Sequence, residues 1–254
     1  MILRLCVSII PSIIIAFIIY LSDKKEKEPL WKIVKAYVLG IVSISLVLFV
    51  SKEFNIESID LENSSTLNIF IYAFAMIAIV EEVAKWLCSY FSVKNNSDYN
   101  YMYDGIVYFA YVALGFATVE NGLYAMAGDF ETVFIRAITT VPSHVAFGIV
   151  SGYYFSIYRR ELYKNKKVNA YKNLALSLYV PIILHGFYDF CLLINNYFYF
   201  ITYIIFVSTL YVLTISRALR MERIDHKLDD TKIYCRYCGK VMKNNKCLEC
   251  DKEE

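Results

Sequence analysis

The chain is 254 residues long, 58% hydrophobic and 17% aromatic, with a formal net charge of +2. Soluble domains carry about 45 to 50% apolar residues, so this composition, with a mean hydropathy of +0.44, excludes an ordinary water-soluble globule. The near-zero net charge leaves no basic footprint for nucleic acid. Four of the seven cysteines crowd into the last twenty residues, while Cys6, Cys88 and Cys191 are scattered through apolar runs. The scattered three read as packing residues rather than a disulfide framework.

The first apolar run, Ile2 to Leu21, carries one early charge, Arg4, and ends in Ile19-Tyr20-Leu21-Ser22 without a small-x-small cleavage pattern. It reads as a retained first span. Further runs cover Leu30 to Val50, Leu67 to Phe91, Asp104 to Ala125, Val133 to Tyr158, Tyr171 to Ile194 and Tyr197 to Ser216. Each is close to the 20 or so residues needed to cross a hydrocarbon core. Backbone groups in lipid must be satisfied within the segment, so the fold class is an all-α polytopic membrane protein of about seven transmembrane helices.

Orientation follows from the connections. Lys24, Lys25 and Lys27, then Lys94, then Arg159, Arg160, Lys164, Lys166 and Lys167 fall in odd-numbered loops, with Arg217, Arg220 and Arg223 after the last span. The even-numbered loops hold Lys52 and mainly acids such as Glu53, Glu57, Asp60, Glu62, Asp129 and Glu131. The positive-inside rule therefore puts the N-terminus outside and the C-terminus in the cytoplasm. Tyr99, Tyr101, Tyr103, Tyr197 and Tyr199 at span ends suit an interfacial aromatic belt.

Composition turns polar after Ser216. This divides the chain into a membrane domain over 1–216, with its core at 67–194, a cytoplasmic linker over 217–232 and a small ribbon over 233–254. The ribbon holds Cys235-Arg-Tyr-Cys238-Gly239 and, eight residues on, Cys247-Leu-Glu-Cys250. Two such knuckles offer four thiolates to a tetrahedral structural Zn²⁺. The short spacer leaves hardly any core, so the module is expected to fold only with its metal.

The costliest stretch is Glu81-Glu82-x-x-Lys85 in the third run, since each charge near the bilayer centre costs about 2.5 to 3.5 kcal/mol. At 100° per residue Lys85 falls on the arc between the two glutamates, about 40° from Glu81. One ammonium therefore reaches either carboxylate, and the pair keeps a surplus charge suited to acid/base work. In the fourth run Asp104 reads as a helix N-cap, and Glu120 has Ala113, Phe116 and Ala117 on its face, with Asn121 beside it. Asn121 can bond a substrate backbone or a neighbouring helix. The fifth run carries Pro142-Ser143-His144, the sixth Pro181 and then His185 with Asp189 at i+4, where the carboxylate can orient the imidazole.

Glu-Glu-Val-Ala-Lys-Trp, Tyr-Asp-Gly-Ile-Val-Tyr with Gly-Phe-Ala-Thr-Val-Glu-Asn-Gly-Leu-Tyr, Pro-Ser-His-Val-Ala-Phe-Gly and His-Gly-Phe-Tyr-Asp-Phe, over about 67–194, together resemble the PrsW family of intramembrane proteases. The resemblance implies a bacterial cytoplasmic membrane enzyme making the first, site-1 type cut in a single-pass anti-sigma factor. Related prenyl-protein and immunity-type proteases have His where this chain has Glu120, in Phe116-x-x-x-Glu120, and Asn where it has Asp189.

On this reading Glu81 or Glu82 activates water, His144 or His185 stabilises the oxyanion or protonates the leaving amine, Asp189 orients His185, and Glu120 with Asn121 positions water or substrate, with Lys85 in support. Zn²⁺ on His144, His185 and a glutamate is a variant. The metal-free version is preferred, because no His-Glu-x-x-His helix preassembles two ligands. The alternatives are a proton- or cation-coupled transporter, for which no convincing internal repeat is found, and a non-catalytic scaffold whose ribbon docks a cytoplasmic partner.

Overall fold

The computed structural model describes residues 1–54, 60 and 63–230; the cysteines of the expected ribbon lie outside them. Among the described residues seven helices are long and apolar enough to cross a membrane. They are α1 (Ile2–Ser22), α2 (Leu30–Glu53), α3 (Thr66–Val93), α4 (Asp104–Ala127), α5 (Phe130–Tyr163), α6 (Lys167–Leu193) and α7 (Tyr197–Arg223). Each overlaps one expected run. Side-chain caps open three of them, in the even-numbered connections: Ser65, Asp129 and Asn196 accept from the amides of Asn68, Thr132 and Phe198. Outer faces such as Ile10, Ile13, Ile14 and Phe17 of α1 are exposed, as a lipid-facing surface requires.

The central helix is α4. Every residue from Asp104 to Ala117 is buried, and α1, α2, α3 and α5 pack around it. A helix apolar on all sides belongs in the middle of a bundle. Small residues let its neighbours approach. Gly40 of α2 meets Gly115 of α4, and a Cβ on Gly148 of α5 would press on Ala113 and the Phe109 carbonyl.

Within α3, Tyr72–Ala78 form wide π-type turns immediately before the charged stretch. A uniform 100° count along the sequence does not foresee them; such turns mark functional sites in many proteins. This segment packs on α6, and Gly186 leaves room there for the Phe74 ring. Both Pro142 and Pro181 sit inside continuous helices. Near Pro142, the Tyr211 hydroxyl of α7 donates to the Thr139 carbonyl at 2.7 Å.

The odd-numbered connections and the residues after α7 gather at one end of the bundle. Lys24 meets Glu222 at 3.5 Å, and Lys32 meets Asp98 at 2.6 Å. The composition change at Ser216 marks where the last helix becomes polar rather than where it stops: α7 continues to Arg223. Beyond it, Met102 N–H donates to His226 O and Leu228 N–H to Asn100 O, so 224–230 pair with the third connection.

Some local expectations differ in detail. Asp104 is the first helical residue rather than the cap, and its carboxylate accepts from the amides of Asn100 and Tyr101. Tyr99 and Tyr103 are buried rather than interfacial, while Tyr197 is exposed. Cys88 and Cys191 are buried, but Cys6 faces outward.

Acids cluster at that same end. Burial pushes the carboxyl of Asp23 up to about 6, and those of Glu28 and Asp225 to about 7. Tyr108 donates to Glu28, and Tyr103 N–H to Asp225. A carboxyl whose folded value exceeds its unfolded value destabilises the fold only once the unfolded state has lost its proton. Stability is therefore expected to fall from about pH 4 to about pH 7, by at most about 1.4 kcal/mol per pH unit for each group. Glu28→Gln should raise the thermal midpoint in detergent at pH 8 and flatten this decline; an unchanged profile would refute the assignment.

Candidate active site within the membrane

Four helices deliver the expected residues to one place. Lys85 of α3 is buried, and its Nζ lies 2.6 Å from Glu82 Oε1, 3.7 Å from Glu81 Oε2 and 3.1 Å from His144 Nδ1. The same ammonium stands 4.3 Å from the Phe116 ring centroid of α4, a cation–π contact strengthened by desolvation. An ammonium only donates, so Nδ1 of His144 accepts and Nε2–H donates to Glu120 Oε2 at 2.9 Å. That fixes the His144 tautomer.

His185 of α6 is held from two sides. Its Nδ1 is 2.8 Å from Glu82 Oε1 and its Nε2 is 3.1 Å from Asp189 Oδ2, one turn on. The latter is an ion-pair contact. Phe147 stacks on the imidazole at 5.0 Å, and the His144 ring meets it edge-on at 5.2 Å. The i, i+4 pairing of His185 with Asp189 and the sharing of Lys85 by two glutamates both match the sequence geometry.

The two glutamates differ. Glu82 is 5% exposed and engaged by both Lys85 and His185. Glu81 is 12% exposed, with Oε2 lacking any hydrogen-bond partner and 3.9 Å from His185 Nε2. Glu81, His144 and His185 each place a ligand atom within 4.8 Å of the others. Three helices preassemble this set, which answers the objection that no single helix carries two ligands. Two imidazoles and a carboxylate are a hydrolytic metal donor set, and Glu82 on His185 Nδ1 is the outer carboxylate that orients such a ligand.

Arg136 of α5 belongs to the site and was not singled out from the sequence. It pairs with Glu120 Oε1 at 2.7 Å, donates from Nε to Asn121 Oδ1 at 3.2 Å and lies 3.6 Å from the Tyr124 ring. Its signal was present, a lone charge inside the apolar run starting at Val133. Asn121 bonds this neighbouring helix, which leaves its buried Nδ2 without a partner. Phe147 had no signal beyond ordinary core composition.

A multi-span membrane protein with a buried acid and histidine cluster is the form of an intramembrane hydrolase. The chain belongs to the PrsW family: the family described as PrsW family intramembrane metalloprotease matches residues 28–214. It is 38% identical to Protease PrsW of Oceanobacillus iheyensis over 74% of this chain and 82% of that protein. It is 34% identical to Protease PrsW of Bacillus subtilis over 78% and 88%, and 32% identical to that of Clostridioides difficile over 83% and 87%. No solved structure gives a significant match. The protein is thus a peptidase of a bacterial membrane, and a membrane-embedded protease acts on membrane-protein substrates.

Removing one partner from a buried ion pair costs about 3 to 5 kcal/mol, because the other charge stays buried. Lys85→Met should therefore lower the thermal midpoint markedly, and Lys85→Met with Glu82→Gln should recover part of the loss in a double-mutant cycle. Unchanged stability in Lys85→Met would show that the network is not formed.

Proposed function

We propose that the chain is an intramembrane endopeptidase making the first, site-1 type cut in a single-pass membrane protein such as an anti-sigma factor, with Glu81 as the reacting carboxylate. Support comes from the convergence of Glu81, His144 and His185 from three helices, together with the family match. The N-terminus outside and the C-terminus in the cytoplasm follow from the charge bias of the loops.

Glu81 is the carboxylate whose buried Oε2 has no hydrogen-bond partner, so it takes the proton of the attacking water. Glu82 is saturated, and its work is to fix Lys85 and the His185 tautomer. The Asn121 amide, whose Nδ2 has no acceptor, donates to a carbonyl of the substrate backbone. His144 passes its Nε2 proton to the leaving amine as its Nδ1 takes one from the Lys85 ammonium, so the ring stays neutral, and the Glu120–Arg136 pair stands beside it. Asp189 steadies His185 from the other side.

Glu81, His144 and His185 would hold a divalent metal. Such an ion, when bound, supplies Lewis-acid polarisation of a carbonyl and a more acidic water. The unpartnered Glu81 Oε2 and the outer Glu82 fit this; His144, whose two nitrogens contact Lys85 and Glu120, must release one of them to ligate. With the ion bound, Glu81 and His144 would act as ligands in place of the base and acid roles they have without it; the metal-free preference drawn from the sequence gives way to this metal-dependent reading, because tertiary packing brings together three donors that no local motif joins.

Co-expression with candidate single-pass anti-sigma factors is the direct test. Glu81→Gln, His144→Ala and His185→Ala should abolish the cut, and Glu82→Gln should slow it about 10- to 100-fold, the cost of losing an outer partner. Equal cleavage by all four variants would remove the site assignment. Strong chelation should stop cleavage by purified protein, and added metal should restore it; activity that survives chelation would reject the metal.

The Cys235, Cys238, Cys247 and Cys250 ribbon contributes a structural Zn²⁺ and a cytoplasmic docking module in this proposal. Elemental analysis should find two metals per wild-type chain. Cys235→Ser with Cys238→Ser should lose one of them, and His185→Ala the other. Loss of no metal from the cysteine variant would end the ribbon reading.

A further inference from the structure

Pro181 lies one turn before His185 in α6 and has no N–H to give, so the carbonyl of Ser177, four residues earlier, loses its helical donor. A backbone oxygen freed in this way inside hydrocarbon needs a partner from elsewhere in the protein. Here the Ser151 hydroxyl of α5 donates to the Ser177 carbonyl at 2.6 Å. The Ser177 hydroxyl donates to Leu174 O at 2.7 Å and accepts from the Trp86 indole N–H of α3 at 2.9 Å. Ser151 and Ser177 are both buried. Three helices therefore meet at Ser177, and they are the three that carry Glu81, His144 and His185.

This junction borders the candidate active site. Trp86, Ser151, Ser177 and Pro181 line a cavity of about 10 Å³ together with Glu82 and Lys85. Ser151 stands two turns beyond His144 on the same face of α5, because seven residues wind the helix through about 700°. Proline is where helices bend, and the direction of α6 beyond Pro181 sets where the His185 ring points. A hydroxyl of α5 fixed on the carbonyl that Pro181 frees ties that direction to the helix bearing His144.

We propose that Ser151 is a positioning residue of the reaction, which holds the Pro181 turn of α6 against α5 so that His185 keeps its place beside His144. Its hydroxyl touches no reacting atom and acts through the Ser177 carbonyl. The proposal rests on the reading of Glu81, His144 and His185 as the catalytic centre.

The test uses the full chain in detergent, with kcat and KM read on a single-pass anti-sigma factor that wild type cleaves, well below each thermal midpoint. Ser151→Ala should lower kcat by up to about 100-fold, the cost of misplacing a reacting group by about 1 Å, with KM unchanged. It should also lower the thermal midpoint by at least about 2 °C, since the carbonyl is left unpaired. Pro181→Ala restores the missing N–H. Ser151→Ala added to Pro181→Ala should therefore cost no further stability, while kcat stays low in both because the turn before His185 has changed. Should Ser151→Ala alone fail to fold, the double variant still folds on this proposal and gives the same readout. An unchanged kcat in Ser151→Ala, or an equal loss of stability with and without Pro181, would overturn the proposal. Normal cleavage by His144→Ala and His185→Ala would remove the catalytic reading beneath it, and the proposal with it.

Discussion

Lys85 is an ammonium buried at membrane depth, and its contacts set the conditions that the neighbouring helices meet. A charge in that position is tolerable only if desolvation is offset by closely placed opposite charge and hydrogen bonds. Glu82 supplies the first at 2.6 Å, His144 and the Phe116 ring the rest. Those partners come from α3, α4 and α5, so helix register and spacing are set by a polar requirement rather than by apolar packing, which in lipid gives little specificity. Gly148 against Ala113, and Gly186 against Phe74, are the small-residue contacts that let α5 and α6 come near enough to meet it.

The same network separates the roles of two adjacent glutamates. In a helix, neighbouring residues point about 100° apart, and here that angle is the difference between a saturated carboxylate facing Lys85 and His185 and one with an oxygen to spare. In the proposed mechanism Glu82 is therefore the orienting group and Glu81 the reacting one. The Glu120, Arg136 and Asn121 cluster beside His144 repeats the pattern: a paired acid and base leave one amide donor unpartnered.

Membership of the PrsW family agrees with this construction. The matched region, 28–214, contains α2 to α6 entire and the first two thirds of α7, and so every residue of the site.

The sequence by itself determined the number of spans and their alternation, because each helix must cover the hydrocarbon core with apolar residues and satisfy its own backbone. It also determined the cost of Glu81, Glu82 and Lys85, the shared lysine and the pairing of His185 with Asp189, since those are relations within one helix. Only the tertiary structure decided that His144 meets Lys85, that His185 meets Glu82 and that Arg136 completes the Glu120 wall. Such contacts join residues tens of positions apart, which helical periodicity does not relate. The π-type turns of Tyr72–Ala78 were hidden for a related reason: an extra residue per turn is chosen by packing on α6, and no local propensity encodes it. His144, His185 and a glutamate were already a feasible ligand set from the sequence, but that Glu81 is the glutamate whose donor atom lies within 4.8 Å of theirs is decided only by packing, because the three stand on different helices.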